Sequence, residues 1–539
     1  MSLRFVVSFG IWVWMIVSLI GKPPPRVSAA PLSTWPFWWF DALVVAARDV
    51  LGDPSVEYGA GSIQIFYGDE TGLQASNDQL WDQNTPGLAG VVEANDGFGR
   101  ALSGGDFNGD GFPDLAVGVP GESFDGADFG GLVQVIYGGN SGLVASDSEV
   151  WHQNLSDLVG ATETGDGFGS ALASCDFDGN GYDDLAVGIP GEDVGTIVNA
   201  GAVHVIYGFP WGLGGAGDLF LHQGLDGVTG LAEESDQFGE ALACGDFNGD
   251  GYGDLVAAAY HEDVSGATNA GAVNVLYGSF IGLVFDGDQM WHQGVAGLIG
   301  VPEDGDSFGY AVATGDFNGD GYDDLAVGVP FEDIEGKRDA GVVQVIYGSA
   351  DGLRAAGSQV WYQGVGIEGA AEVDDRFGQA LAAGDFNGDG FDDLAIGTPF
   401  ERIGSAYAAG AVQVIYGSRF GLQAAGNQLW TQDSPNVPDS VEPGDMFGAS
   451  LASGDFNHDG FDELVIGIPG ENISSHPNAG MVLVLFGSIT GLQGSESQAW
   501  HRDAPGVEGQ AADWDEFGIA LTTLSTPWRK TYLPRQILP

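Results

Sequence analysis

The sequence predicts an all-β chain: a closed ring of seven blades with four strands each. Three observations carry this. Phe-Gly pairs begin at Phe98, Phe168, Phe238, Phe308, Phe377, Phe447 and Phe517, spaced by 70, 70, 70, 69, 70 and 70 residues. Within each period, four short apolar or alternating runs are separated by Gly, Pro, Asn and Asp, and none has helical periodicity. The two ends of the chain hold complementary parts of one further period. A period this regular marks a repeat architecture in which no unit buries its apolar face alone.

In the period that starts at Phe168, strand A reads Phe168–Cys175, strand B Leu185–Pro190, strand C Gly201–Gly208 and strand D Asp218–Gln223. Four antiparallel strands repeated radially make a propeller blade. A straight solenoid is the alternative, but it needs atypical capping repeats at both ends. The N-terminal part supplies Leu43–Ala46 as a strand B, Gly61–Gly68 as a strand C, and Trp81 where strand D elsewhere has Trp151, Trp291, Trp361, Trp430 and Trp500. The C-terminal part supplies Phe517–Thr522 as a strand A. Together they make the seventh blade, and ring closure removes exposed sheet edges. The predicted organisation is a signal peptide at 1–29, a linker at 30–40, the propeller at 41–524 and a tail at 525–539.

The first segment reads as a secretion signal. Arg4 precedes an apolar run from Phe5 to Ile20, then Lys22, three prolines and the small-residue site Val27-Ser28-Ala29. The run is 16 residues, shorter than the roughly 20 a spanning helix needs. An uncleaved anchor is the alternative; after cleavage no segment inserts directly in a membrane. Cleavage removes three positive charges and moves the formal charge from −61 to −64.

With 76 acidic and 15 basic residues, the chain has no basic stripe to meet phosphates, which excludes nucleic acid as a partner. Docking on anionic lipid is disfavoured for the same reason. Hydrophobic residues make up 44%, enough for a core, so the charge is not a mark of disorder. It fits a cation-loaded protein or a surface suited to high salt. Cys175 and Cys244 are 69 apart, at nearly equivalent places in neighbouring repeats. A disulfide is possible in an oxidising compartment, although spacing alone does not imply it; two small buried residues are the other reading.

Six oxygen-rich loops join strand A to strand B, and each offers five ligand positions, 1, 3, 5, 7 and 9. They are Asp106, Asn108, Asp110, Phe112 and Asp114; Asp176, Asp178, Asn180, Tyr182 and Asp184; and Asp246, Asn248, Asp250, Tyr252 and Asp254. The other three are Asp316, Asn318, Asp320, Tyr322 and Asp324; Asp385, Asn387, Asp389, Phe391 and Asp393; and Asp455, Asn457, Asp459, Phe461 and Glu463. Position 7 is always Phe or Tyr and can give a metal only its backbone carbonyl. Glycine at position 6 permits a turn with positive φ. Hard oxygen donors converging from alternate residues suit Ca²⁺ better than Mg²⁺ or zinc, so about six Ca²⁺ are expected. Plain Asx-rich turns would use the same residue types, but six copies at fixed positions favour metal. This is no EF-hand, because the twelfth-position Glu and the flanking helices are missing. The last loop departs, with His458 at position 4 and Glu463 at position 9.

Phe-Gly, the Asp-rich loop and then Gly-x-Pro (Gly118–Pro120, Gly188–Pro190, Gly467–Pro469) resemble the FG-GAP repeats of integrin alpha-subunit propellers. Similar repeats occur in bacterial surface proteins and a secreted phospholipase D. The resemblance runs from Asp41 to about Thr522 and implies a seven-bladed calcium-binding propeller; it carries no particular partner.

His152, His222, His292 and His501 recur with the blade, as do Glu122, Glu192, Glu262, Glu332, Glu401 and Glu471, so both sets read as structural. No serine or cysteine nucleophile stands in a recognisable setting. The repeat breaks once, at Ala258-Ala259-Tyr260-His261-Glu262, where other blades have Gly-x-Pro. The densest basic spot is Lys337-Arg338 in one B–C loop. Tyr260, His261, Lys337 and Arg338 are therefore the candidate ligand residues. The expected function is a secreted or cell-surface calcium-binding adhesion module that binds an extracellular protein or glycan. An extracellular hydrolase or lyase with its site at the channel, and a structural surface-layer component, are the alternatives. The B–C loops vary between repeats and lie on the face opposite the acidic loops, which places the ligand there.

Overall fold

The computed structural model describes residues 41–48 and 59–525, apart from 125, 157, 226 and 365. The predicted signal peptide, the linker and all but the first residue of the tail lie outside the described residues. Among the described residues every regular element is a strand, and no helix is long and apolar enough to cross a membrane.

The first 81 residues supply β1 (Ala42–Ala47), β2 (Ser62–Asp69) and β3 (Gly72–Trp81). Blade 1 is β4 (Leu102–Gly105), β5 (Asp114–Val119), β6 (Leu132–Tyr137) and β7 (Val144–Trp151). Blade 2 is β8 (Leu172–Cys175), β9 (Asp184–Ile189), β10 (Ala202–Phe209) and β11 (Gly212–Leu221). Blade 3 is β12 (Leu242–Gly245), β13 (Asp254–Ala259), β14 (Ala272–Tyr277) and β15 (Val284–Trp291). Blade 4 is β16 (Ala311–Gly315), β17 (Asp324–Val329), β18 (Val342–Tyr347) and β19 (Arg354–Trp361). Blade 5 is β20 (Ala380–Gly384), β21 (Asp393–Thr398), β22 (Ala411–Tyr416) and β23 (Gln423–Trp430). Blade 6 is β24 (Leu451–Gly454), β25 (Glu463–Ile468), β26 (Met481–Phe486) and β27 (Gln493–Trp500), and β28 (Leu521–Leu524) follows.

Each blade is one antiparallel four-stranded sheet, and the seventh runs β28-β1-β2-β3. Its first two strands pair Ala42 with Leu524 and Val45 with Leu521. No sheet closes on itself. The ring arises because the innermost strands lie side by side in the order β4, β8, β12, β16, β20, β24, β28 and back to β4. Hydroxyls bridge these neighbours: Thr314 Oγ1 donates to Cys244 O at 2.6 Å, and Thr523 Oγ1 to Ser453 O at 2.8 Å.

Strand A is shorter than its apolar run suggests. The Phe-Gly pair lies in a turn ahead of the strand, so the last one starts at Leu521 rather than Phe517, and β8 at Leu172 rather than Phe168. The reason is packing between blades. Phe168 N–H donates to Gly130 O while its fully buried ring plugs the gap between sheets. Gly131, at φ 79°, presses so close that a Cβ there would sit 2.4 Å from Phe168 O. A second set of plugs is position 2 of each acidic loop, Phe107, Phe177, Phe247, Phe317, Phe386 and Phe456, all fully buried. The recurrent histidines after strand D, such as His152 and His292, fall just past the strand, which ends at the Trp.

Cys175 and Cys244 form a disulfide between β8 and β12, tying blades 2 and 3. Of the two readings the spacing left open, the structure shows the bonded one. Spacing identified their equivalent columns, but the approach of neighbouring innermost strands brings the sulfurs together.

His204, in the middle of β10, stands where other blades carry Gln64, Gln134, Asn274, Gln344 and Gln413. Those at 134, 344 and 413 donate from Nε2 to strand D carbonyls. The His204 ring is fully buried, its Nδ1 lies 3.4 Å from Asp218 Oδ2, and neither nitrogen makes an aligned hydrogen bond. Burial pushes the imidazole down to about 4, partly opposed by Asp218. An unfolded histidine titrates near ~6.5. Between those values the unfolded chain takes up a proton that the folded chain refuses, so stability present at neutral pH is lost as pH falls. His204→Gln is expected to reduce the drop in melting temperature between pH 7 and pH 5 relative to the parent; an identical drop in both proteins contradicts this.

Candidate functional site

The six acidic loops lie on one face of the ring, because each joins the end of strand A to the start of strand B. Position 1 anchors the loop backbone: Asp106 Oδ1 accepts from Asp110 N at 3.1 Å and Oδ2 from Gly111 N at 3.1 Å. Position 3 accepts from position 5, as Asn108 Oδ1 does from Asp110 N at 2.8 Å. Position 9 is the first residue of strand B and is fully buried in all six, at Asp114, Asp184, Asp254, Asp324, Asp393 and Glu463. Asp114 accepts from Phe107 N at 3.0 Å and, across the sheet, from Gly138 N at 2.7 Å. Burial, augmented by the carboxylates at positions 1 and 5, pushes Asp114 up to about 8 and Glu463 up to about 9.

Carboxylate oxygens within 4.8 Å of one another gather in two of these loops, Asp176, Asp178 and Asp184, and Asp455, Asp459 and Glu463. Like charges gathered around a buried position 9 carboxylate repel one another, and a cation among them relieves that repulsion. The donors are all oxygen. They fit a hard divalent cation, to be held by side chains at positions 1, 3, 5 and 9 with the position 7 carbonyl.

Neighbouring loops are stitched together by position 8. Asp183 Oδ2 accepts from Asp106 N at 2.8 Å, and Asp41 Oδ2 from Asp455 N at 3.1 Å. Asp41, directly before β1, thus stands at position 8 of blade 7. At position 4 of the other loops a glycine faces the position 7 ring of the next blade, and a Cβ on Gly109 would sit 2.4 Å from Tyr182. In the sixth loop His458 holds position 4 at φ 58°.

On the opposite face, where B–C loops and D–A linkers emerge, Tyr260 and His261 belong to a continuous arc across blades 3 to 5. The His261 and Tyr260 rings are 4.5 Å apart, Tyr260 and Tyr310 5.3 Å, and Tyr310 and Phe331 5.7 Å. The Arg376 guanidinium then lies 5.0 Å from the Phe331 ring and 4.4 Å from that of Phe400. Tyr260 hydrogen-bonds Glu240, whose carboxyl burial pushes up from its ordinary value. His261, Phe331 and Phe400 occupy one column of the repeat, filled elsewhere by Gly121, Gly191 and Gly470. Reading the sequence blade by blade flags Tyr260 and His261 but passes over Phe331 and Phe400, which only that column reveals. Lys337 and Arg338 are held within their own surroundings: Lys337 Nζ donates to Ala371 O, and Arg338 pairs with Asp374 and, at 3.3 Å, with Asp339.

The FG-GAP repeat model matches residues 98–136, 168–206, 238–276, 308–346, 377–415 and 447–485. Phosphatidylinositol-glycan-specific phospholipase D of Bos taurus is 37% identical over 164 residues, 30% of this chain and 18% of that protein. Integrin alpha-8 of Gallus gallus is 32% identical over 249 residues, 44% of this chain and 21% of that protein. The chain therefore spans about a fifth of the length of these relatives. Six matched repeats, alignments to integrin alpha chains and seven four-stranded blades together make this an FG-GAP-repeat protein with an integrin-alpha-like β-propeller.

Proposed function

We propose that the protein is a secreted or cell-surface binding module, stabilised by calcium on one face and engaging an extracellular glycan or protein on the other. The calcium half is supported by the donor set of the six loops and by the buried carboxylate at each position 9. Secretion is supported by the N-terminal apolar run with its small-residue site.

The observation that carries the binding half is the arc from His261 to Phe400. Half-buried rings packed edge to face, with one guanidinium among them, offer sugar rings or peptide side chains a preordered apolar surface with polar edges. The arc occupies three consecutive blades and is replaced by glycine in three others, so it is not a demand of the scaffold. Removing two aromatic anchors from such a surface typically costs about 2 kcal/mol or more, roughly thirtyfold in affinity.

The test is a glycan array and a cell-surface binding assay on the parent and on a Phe331→Ala/Phe400→Ala double variant. Binding weakened about thirtyfold or more with unchanged melting is the expected result. If the double variant binds as the parent does while Asn108→Ala abolishes binding with the fold intact, the ligand sits on the loop face and the assignment fails.

One observation favours the enzyme reading as a second. The Tyr260–Glu240 pair at the axis has no counterpart in blades that carry proline in place of Tyr260. Turnover of extracellular polysaccharides that is abolished by Glu240→Gln would move the assignment there.

A further inference from the structure

A second set of carboxylates lies on the face opposite the acidic loops, at the junctions between blades. Six of the seven junctions carry a Glu and an Asp in the D–A linker and a Glu in the following B–C loop. They are Glu93, Asp96 and Glu122 at the first, and Glu442, Asp445 and Glu471 at the sixth. A glutamine just past strand D donates to the B–C glutamate, as Gln83 Nε2 does to Glu122 Oε2 at 2.5 Å and Gln432 Nε2 to Glu471 Oε2 at 2.7 Å. The repetition made these residues look structural, and at most junctions that account suffices.

The sixth junction differs. Glu442, Asp445 and Glu471 present oxygens within 4.8 Å of one another, and Asp445 and Glu471 are buried. The cause is local. Where the residue after the B–C glutamate is Ser123, Asp193, Asp263, Asp333 or Arg402 in other blades, here it is Asn472. Its Nδ2 donates to Glu442 Oε2 at 3.0 Å and draws that carboxylate over the cluster, while its backbone N–H donates to Glu471 Oε1 at 3.0 Å. Asp445 Oδ2 accepts from Glu442 N at 2.6 Å. Asp445 Oδ1 is fully enclosed and makes no aligned hydrogen bond; the amide oxygen of Gln432 is likewise unpaired, as are those of Gln83, Gln153, Gln223, Gln293 and Gln363 at the other junctions. Among the described residues no lysine, arginine or histidine forms an ion pair with the three carboxylates.

The seventh junction shows what the position accepts. There Ala512 replaces the linker glutamate, and Arg502 replaces the glutamine. The Arg502 side chain is almost wholly buried, its Nη1 lies 3.4 Å from Asp515 Oδ1, and its Nη2 donates to Ser62 Oγ. A cationic group thus occupies, in blade 7, the place that a neutral amide holds beside three carboxylates in blade 6.

We propose that Glu442, Asp445 and Glu471 bind one hard divalent cation of the Ca²⁺ class, separate from the six acidic loops and on the ligand-facing side of the ring. The three residues offer carboxylate oxygens, which suit a hard cation and select against softer metals. A buried cluster of like charges needs a counter-charge, and an inorganic cation supplies here what Arg502 supplies next door.

The experiment counts calcium bound per chain at saturation, by atomic emission after equilibrium dialysis, in the parent and two full-length variants. Asp445→Asn removes a ligand. Gln432→Arg copies the seventh junction and provides the counter-charge covalently. Only the difference from the parent is read, so the number of ions at the acidic loops does not enter. Both variants are expected to bind one ion fewer than the parent, and Gln432→Arg to melt no lower than the parent in chelator. If Asp445→Asn does not fold, Gln432→Arg decides. A count in Gln432→Arg equal to the parent's overturns the proposal.

Discussion

Stripping calcium with a chelator is expected to lower the melting temperature by about 15 °C, the largest effect any single treatment should produce. At a hundredfold excess over Kd, each bound ion adds about 2.7 kcal/mol to the native state. Unfolding entropy near ~2.1 cal/mol/K per residue makes that about 2–3 °C per site in a chain of 539 residues. Six loops together then give about 15 °C. The physical cause is the buried position 9 carboxylate, which faces the carboxylates at positions 1 and 5. In the fourth loop the half-exposed Arg354 pairs with Asp320 at 3.8 Å. Scanning calorimetry in calcium and in chelator checks this. Asp178→Ala in the second loop should lose only its own 2–3 °C share in calcium and little in chelator. Equal melting temperatures in calcium and chelator would show that the loops are ordinary turns.

Deleting everything after Asp515 is expected to leave no soluble monomer. The deletion removes β28, whose four residues pair with β1, and exposes the unpaired backbone of β1 as a sheet edge. It also removes the fully buried Phe517 ring, 6.4 Å edge-on from Phe66, and the Arg48–Glu516 ion pair at 3.0 Å. A buried Phe alone is worth about 3–5 kcal/mol when truncated to Ala. Phe517→Ala should therefore lower the melting temperature by several degrees while leaving the ring assembled. Light scattering after gel filtration distinguishes the cases. A truncated chain that runs as a monomer with the parent's melting temperature contradicts the role given to β28.

The repeat made most of this fold legible. A period of 70 with Phe-Gly markers defines the blade, and the partial periods at Leu43 and Phe517 show which blade is shared. What spacing does not convey is distance between blades. The Cys175–Cys244 bond depends on how closely β8 and β12 approach, and the true start of strand A depends on the Phe-Gly turn that the neighbouring glycine presses against. The acidic loops were readable because their chemistry is local: every donor lies within nine residues. The other two clusters were not, because each is assembled across blades. Phe331 and Phe400 carry meaning only beside Gly121, Gly191 and Gly470. Glu442 joins Glu471 only because Asn472 reaches back to it.

Crystals grown in millimolar calcium give the most direct test, through an anomalous difference map phased on the protein. Six peaks on one face, each ringed by oxygens of positions 1, 3, 5, 7 and 9 at about 2.3–2.6 Å, are what the account predicts. An intact seven-bladed ring whose six loops show no ion under those conditions would contradict it.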